Sequence, residues 1–151
     1  MKSILNTELG SVLEVEVGDK NNPELGEGPL RLEGKVVGVF EGDYRSEGPM
    51  YAGLVKSFGQ TAVLHVNGID IIVTTHNLQI SDRMQFAVFG IDLKLKKLVA
   101  LKSMKHFRAA FEPLTAQVIV CDSGVLARPI RSILPFQNVS RPVYPLDKIQ
   151  R

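Results

Sequence analysis

The residues best equipped for chemistry sit in one short stretch: Lys102-Ser103, then Lys105, His106 and Arg108. An ammonium, a hydroxyl, an imidazole and a guanidinium so close together can hold an anion through charge-assisted hydrogen bonds. The hydrophobic period changes at the same place. Leu98, Val99, Ala100 and Leu101 form a short apolar run suited to a strand buried on both faces, and from Ser103 onward apolar residues recur at helical spacing. On this reading Ser103 caps the helix by accepting a hydrogen bond from a first-turn N–H, and the remaining free N–H groups add partial positive charge. A carboxylate or phosphate would sit there, with Lys102, Lys105 and His106 around it. A plainer reading stays open, in which Lys102 is a strand-end lysine reaching water and Ser103 is an ordinary cap. Either way Phe107, Ala110, Phe111 and Leu114, spaced i, i+3, i+4, i+7, form a core stripe. Arg108 and Glu112 are placed for an exposed i, i+4 pair worth about a few tenths of a kcal/mol.

Metal and nucleophilic chemistry find less support. A catalytic zinc needs about three protein ligands converging on one point. The three histidines, His65, His76 and His106, show no H-x-H, H-E-x-x-H or paired-cysteine spacing. Alternation puts His65 on the face opposite Leu64 and Val66, toward solvent or a cross-strand partner, and His76 closes the same hairpin. The chain is therefore expected to carry neither catalytic residues nor a metal site of its own. Cys121 lies at the end of Gln117-Val118-Ile119-Val120-Cys121 and reads as a small buried thiol without a neighbouring histidine in sequence.

These residues need a scaffold, and the chain is long enough for one. With 151 residues, 44% of them hydrophobic, it can bury one substantial core and makes one domain. A net charge of +2, from 18 basic and 16 acidic residues without clustering, argues against nucleic acid as a partner. No apolar run reaches the roughly 18 residues of a membrane span, and no signal-peptide block opens the sequence. With one cysteine and no disulfide framework, the expected location is the cytoplasm.

The elements are mostly strands. Residues 12–17 alternate apolar and acidic side chains and 30–40 read as a second, longer strand. Residues 61–66 and 69–74 flank Asn67-Gly68, which specifies a two-residue type I′ hairpin. Residues 18–29 and 41–53 read as loops. In the second of these Tyr51 either faces a substrate or, with Met50, tucks into the core. A short helix over 82–89 carries capping-box spacing at Asp82 and Gln85, turns Phe86 and Phe89 inward and stops at Gly90. Residues 129–147 are proline-rich and read as an extended ending across the domain or a neighbour. The expected fold class is α+β: a single β-rich domain with a mixed or antiparallel sheet, one clear hairpin and two or three short helices.

Three segments carry a family resemblance: Gly48-Pro49-Met50-Tyr51, the Lys-Ser and His-Phe-Arg pattern of residues 102–113, and Arg141-Pro142-Val143-Tyr144-Pro145-Leu146-Asp147. Together they resemble the C-terminal domain of the MlrC (microcystinase C) family of zinc metallopeptidases, over about residues 9–147. Val143 and Tyr144 stand at the variable places of the family's Arg-Pro-Ile-Trp-Pro-Leu-Asp type ending. The resemblance implies peptide-bond hydrolysis of small, linearised microcystin-type peptides, with the zinc ligands in an N-terminal catalytic domain that these residues do not include. It implies a substrate-binding, cleft-completing role for this part, with Lys102, Ser103, His106, Arg108 and Tyr51 as the residues for it, and the catalytic domain, in the same or a separate chain, as its partner. A face shaped against such a partner would also let copies self-associate when left open. The alternative is a stand-alone, non-catalytic binding or interaction module that keeps the fold.

Overall fold

The computed structural model describes residues 2–18, 28–103, 105–121, 136–144 and 146–148. Among them a short helix α1 (Lys2–Leu5) is followed by β1 (Val12–Val17), β2 (Leu30–Phe40), β3 (Asp43–Arg45), β4 (Val55–Ser57), β5 (Thr61–Val66) and β6 (Ile69–Thr74). Helices α2 (Met84–Ala87) and α3 (Arg108–Phe111) follow, with 3-10 turns at Leu93–Leu95 and Glu112–Leu114. The fold is a small domain with few helices and two sheets, β1-β2-β5-β6 and β3-β4, and every described pairing is antiparallel.

The long strand β2 organises the larger sheet because its first half pairs with β1 and its second half with β5. Between Val36 and Gly38 the register shifts, a bulge that leaves Val37 outside the ladder. The β5–β6 hairpin forms as its turn dictates: Asn67 at φ 47° and Gly68 at φ 85° give the two positive values of a type I′ turn. The central strand β5 is buried on both faces except at His65. On one face Ala62 and Leu64 pack with Ile4, Val15 and Val36. On the other Val63 packs with Tyr44, Phe58 and Phe89, so the small β3–β4 sheet and α2 cover it. A third cluster, Phe107, Ala110 and Phe111, joins this layer through Phe86, whose ring meets Phe111 edge-on at 5.9 Å.

Several sequence expectations change. Residues 98–101 are not a buried strand: among the described residues they pair with no strand, and Leu98 is 77% exposed. The following helix begins at Arg108 with Phe107 at its N-cap and no capping side chain, so Ser103 lies well before it. The core stripe ends at Phe111, since Pro113 turns the chain into 3-10 geometry and leaves Leu114 at the surface. Cys121 is exposed, not buried. The loop expected over 41–53 contains β3, paired with β4, a ladder too short to show alternation in sequence. Part of the expected loop over 18–29 and residues 129–135 and 145 of the expected ending lie outside the described residues. At the described residues 141–144 and 146–147 the ending is not extended but closes on itself: Asp147 accepts from the Val143 N–H at 2.7 Å and pairs with Arg141 at 2.6 Å. Those bonds, the backbone one foremost, hold the Asp147 carboxyl below its usual range.

Candidate functional site

Residues 79–82, which leave the β5–β6 hairpin and lead into α2, form a mount with a candidate binding element on each side. Toward the C-terminal side, the Ser103 hydroxyl donates to the Ile80 carbonyl at 2.9 Å and His106 Nδ1 lies 2.8 Å from Gln79 Oε1. Ser103 is thus an internal anchor. The helix-end anion site expected from sequence does not form, because Ser103 spends its hydroxyl on a carbonyl and the helix starts elsewhere. Lys102, Lys105 and His106 are nonetheless exposed, and the two ammonium groups can meet an anion at the surface.

Toward the other side the mount is a buried polar network. One oxygen of Asp82 accepts from the Ser46 hydroxyl and from the backbone N–H groups of Glu47 and Gly48 at 2.8 and 2.7 Å. Its other oxygen accepts from Met84 N at 2.9 Å, and Gln85 Oε1 returns the cap by accepting from Ser81 N and Asp82 N at 2.8 and 2.9 Å. Gln85 Nε2 then donates to the Gln79 carbonyl, which ties the two ends of the mount together. Burial works to raise the Asp82 carboxyl, but the bonds from Ser46, Met84, Gly48 and Glu47 outweigh it and hold it below the ordinary carboxylate range. Tyr44 moves the other way, pushed up first by burial and then by the Asp82 charge, against a lowering bond from Gln85. Gly48 must come this close without a side chain, since a Cβ there would lie 3.1 Å from Asp82 Oδ2.

The loop so held carries Tyr51. Its backbone is closed by Tyr51 N to Gly48 O, Leu54 N to Tyr51 O and Gly53 N to Ser46 O. Tyr51 is half-buried beneath the Lys56 ammonium, which lies 3.1 Å from the ring centroid, and Met50 is exposed, so neither belongs to the core. Among the described residues no bond or ring contact joins Tyr51 to Lys102, Ser103 or His106; they share only the mount. Arg108 pairs with Glu112 as their spacing implied. Beside Asp82 runs a groove of about 450 Å³, lined by the apolar Met84, Ile91 and Leu93 and by Glu47, Arg83, Asp92 and Lys94. Its charges of both signs over apolar surface suit a ligand with a carboxylate, an amine and side chains.

The histidines do not converge. His65 lies across from Asp70, Nδ1 to Oδ1 at 2.7 Å, and Asp70 is lowered first by its bond from Lys96 and then by that from His65. Among the described residues no three His, Cys, Asp or Glu side chains come together to hold a metal ion, so these residues do not fit a zinc site. No helix among them is long and apolar enough to cross a membrane.

The model of the family described as MlrC C-terminus matches residues 1–138. The chain belongs to that family. The family is the C-terminal part of a larger MlrC protein, and the relatives are longer: this chain is 27% identical over 141 residues to Microcystinase C from a Sphingomonas species, an alignment that takes in 93% of this chain and 26% of that one. The crystal structure of a candidate metallopeptidase from Mesorhizobium sp. BNC1 superposes with a TM-score of 0.73 at 24% identity, over 99% of this chain and 30% of the other, and shows the shared fold. The MlrC C-terminus domain thus spans under a third of both.

Sequence reasoning missed the roles of Ser46, Gln79 and Ser81 entirely. It read Asp82 and Gln85 as a local capping box; they do bond reciprocally, Met84 N to Asp82 and Asp82 N to Gln85, one residue ahead of the Arg83 N-cap, but the 34 to 36 residues separating Asp82 from Gly48 and Ser46 hid the larger function of the carboxylate.

Proposed function

We propose that this domain forms the substrate side of an MlrC-type zinc metallopeptidase and is not catalytic alone. The zinc and the hydrolytic chemistry come from the family's N-terminal catalytic portion, and this domain completes the cleft for small peptides of the linearised microcystin kind. The observation that carries the reading is membership of a C-terminal family by a chain spanning 26% of Microcystinase C. Lys102, Lys105 and His106 supply exposed positive and hydrogen-bonding groups for a peptide carboxylate, with Tyr51 on the other side of the mount contributing ring surface; Ser103 positions the turn, and Arg108 is occupied by Glu112.

The test is a Microcystinase C whose matched segment is replaced by this chain, assayed on a linear peptide. Lys102→Ala and His106→Ala are expected to raise KM several-fold with zinc content unchanged, whereas Arg108→Ala changes little. Unaltered KM in both Lys102→Ala and His106→Ala would remove these residues from the substrate site. The second reading, an independent interaction module, draws on the exposed apolar runs 98–101 and 117–121; it is favoured if the chain binds proteins but never restores activity to a catalytic portion.

A further inference from the structure

Two runs of this chain have strand composition and no strand partner among the described residues. Residues 98–101 and 117–121 are rich in Leu, Val and Ile, the residues that suit a pleated, packed surface. Leu101 and Val118 pack against the Phe107–Phe111 cluster and Val99 is half-buried, while Leu98, Ile119 and Val120 stand 77%, 70% and 64% exposed. No hydrogen bond among the described residues engages the backbone of either run. Open backbone beside exposed branched side chains is a template for pairing, which natural proteins cover or blunt with charge and proline. Neither run contains a charge or a proline.

We infer that residues 98–101 and 117–121 are two β-strands that pair with strand edges of the family's N-terminal catalytic portion. This rests on the proposed cleft-completing function. The occupant follows from size: the domain accounts for 26% of Microcystinase C and 30% of the Mesorhizobium protein, so in those relatives a face it leaves open has a far larger body of the same chain to meet. The runs flank the turn bearing Lys102 and His106, so pairing on both sides sets those groups at the boundary between the two portions, where a shared cleft lies. Backbone pairing fixes the register and the alternate side chains supply apolar contact.

The experiment uses the full chain with Microcystinase C truncated before its matched segment as the probe. In the chain alone, hydrogen exchange at 98–101 and 117–121 is expected to be nearly unprotected, and on addition of the probe it slows by about a hundredfold or more. Val99→Pro and Val120→Pro remove a donor each and are expected to weaken binding about tenfold or more with the melting temperature of the free chain unchanged. The Leu98→Lys, Ile119→Lys double variant, which keeps the backbone intact, is expected to do the same. Equal binding by all these variants, or protection of the runs in the free chain, overturns the pairing while leaving the cleft-completing function standing. A parent chain that ignores the probe overturns both, and one that ignores it but dimerises through these amides assigns the runs to a second copy.

Discussion

The mount at residues 79–82 and the arm at residues 98–121 solve opposite problems. At the mount, buried polar atoms with high desolvation cost are all satisfied from within the chain: Asp82 draws in Ser46, Glu47, Gly48 and Met84. Along the arm Leu98, Leu114, Ile119 and Val120 remain in water, while Phe107, Ala110 and Phe111 are buried with Leu101 and Val118 packed against them. The lesson is that polar groups buried at the mount are satisfied from within the chain, whereas the arm leaves several of its apolar side chains in water.

The comparison breaks most easily at Asp82. Asp82→Ala strands a buried hydroxyl and three backbone donors, and urea unfolding is expected to show a loss of about 2–4 kcal/mol, since bonds to a charged acceptor are the costly ones to lose. Ile119→Ser, at an exposed position of the arm, is expected to stay within about 0.5 kcal/mol of the parent. Comparable losses at the two sites would erase the distinction between them.

Gly68→Val comes next in size. It forces a branched residue to φ 85° at the hairpin turn and is expected to cost about 1–3 kcal/mol, read as a lower melting temperature.

Acid sharpens the contrast further. The Asp82 carboxyl lies below its ordinary value in the fold, so its contribution to stability is full above the unfolded value of about 3.9 and is lost as pH falls through the lower native value. Stability of the parent should therefore decline below about pH 4, and Asp82→Asn should flatten part of that decline. A slope unchanged by Asp82→Asn would show that other carboxyls carry it; Asp70, lowered by Lys96 and His65, is the next to test.

The smallest effect is expected at Tyr51. Tyr51→Phe keeps the ring under Lys56 and should leave stability unchanged in a thermal melt.

The two regions were also unequally legible. Asn67-Gly68 announced its hairpin because a turn needing two positive φ values is specified within the turn itself, and the alternation on either side agreed with it. Arg108 pairing Glu112 followed from the same short-range geometry, and of the two places left open for His65, solvent or a cross-strand partner, the structure shows the partner, Asp70. Ser103 looked like a cap because capping is local; its actual partner is the Ile80 carbonyl, 23 residues earlier, which no spacing rule reveals. The β3–β4 ladder escaped because three residues a side are too few for a period to register. Leu98 to Leu101 and Cys121 were read as buried because apolar composition reports where a segment is suited to lie, yet Leu98, Ala100 and Cys121 are exposed and Val99 and Leu101 are only half-buried.

The most direct test of the account is metal content and turnover of the purified chain, alone and beside the truncated Microcystinase C. The account predicts a folded chain with substoichiometric zinc and no hydrolysis of linear peptides at any added zinc, and hydrolysis by the pair well above that of the truncated enzyme alone. Stoichiometric zinc with metal-dependent turnover by the isolated chain would contradict it.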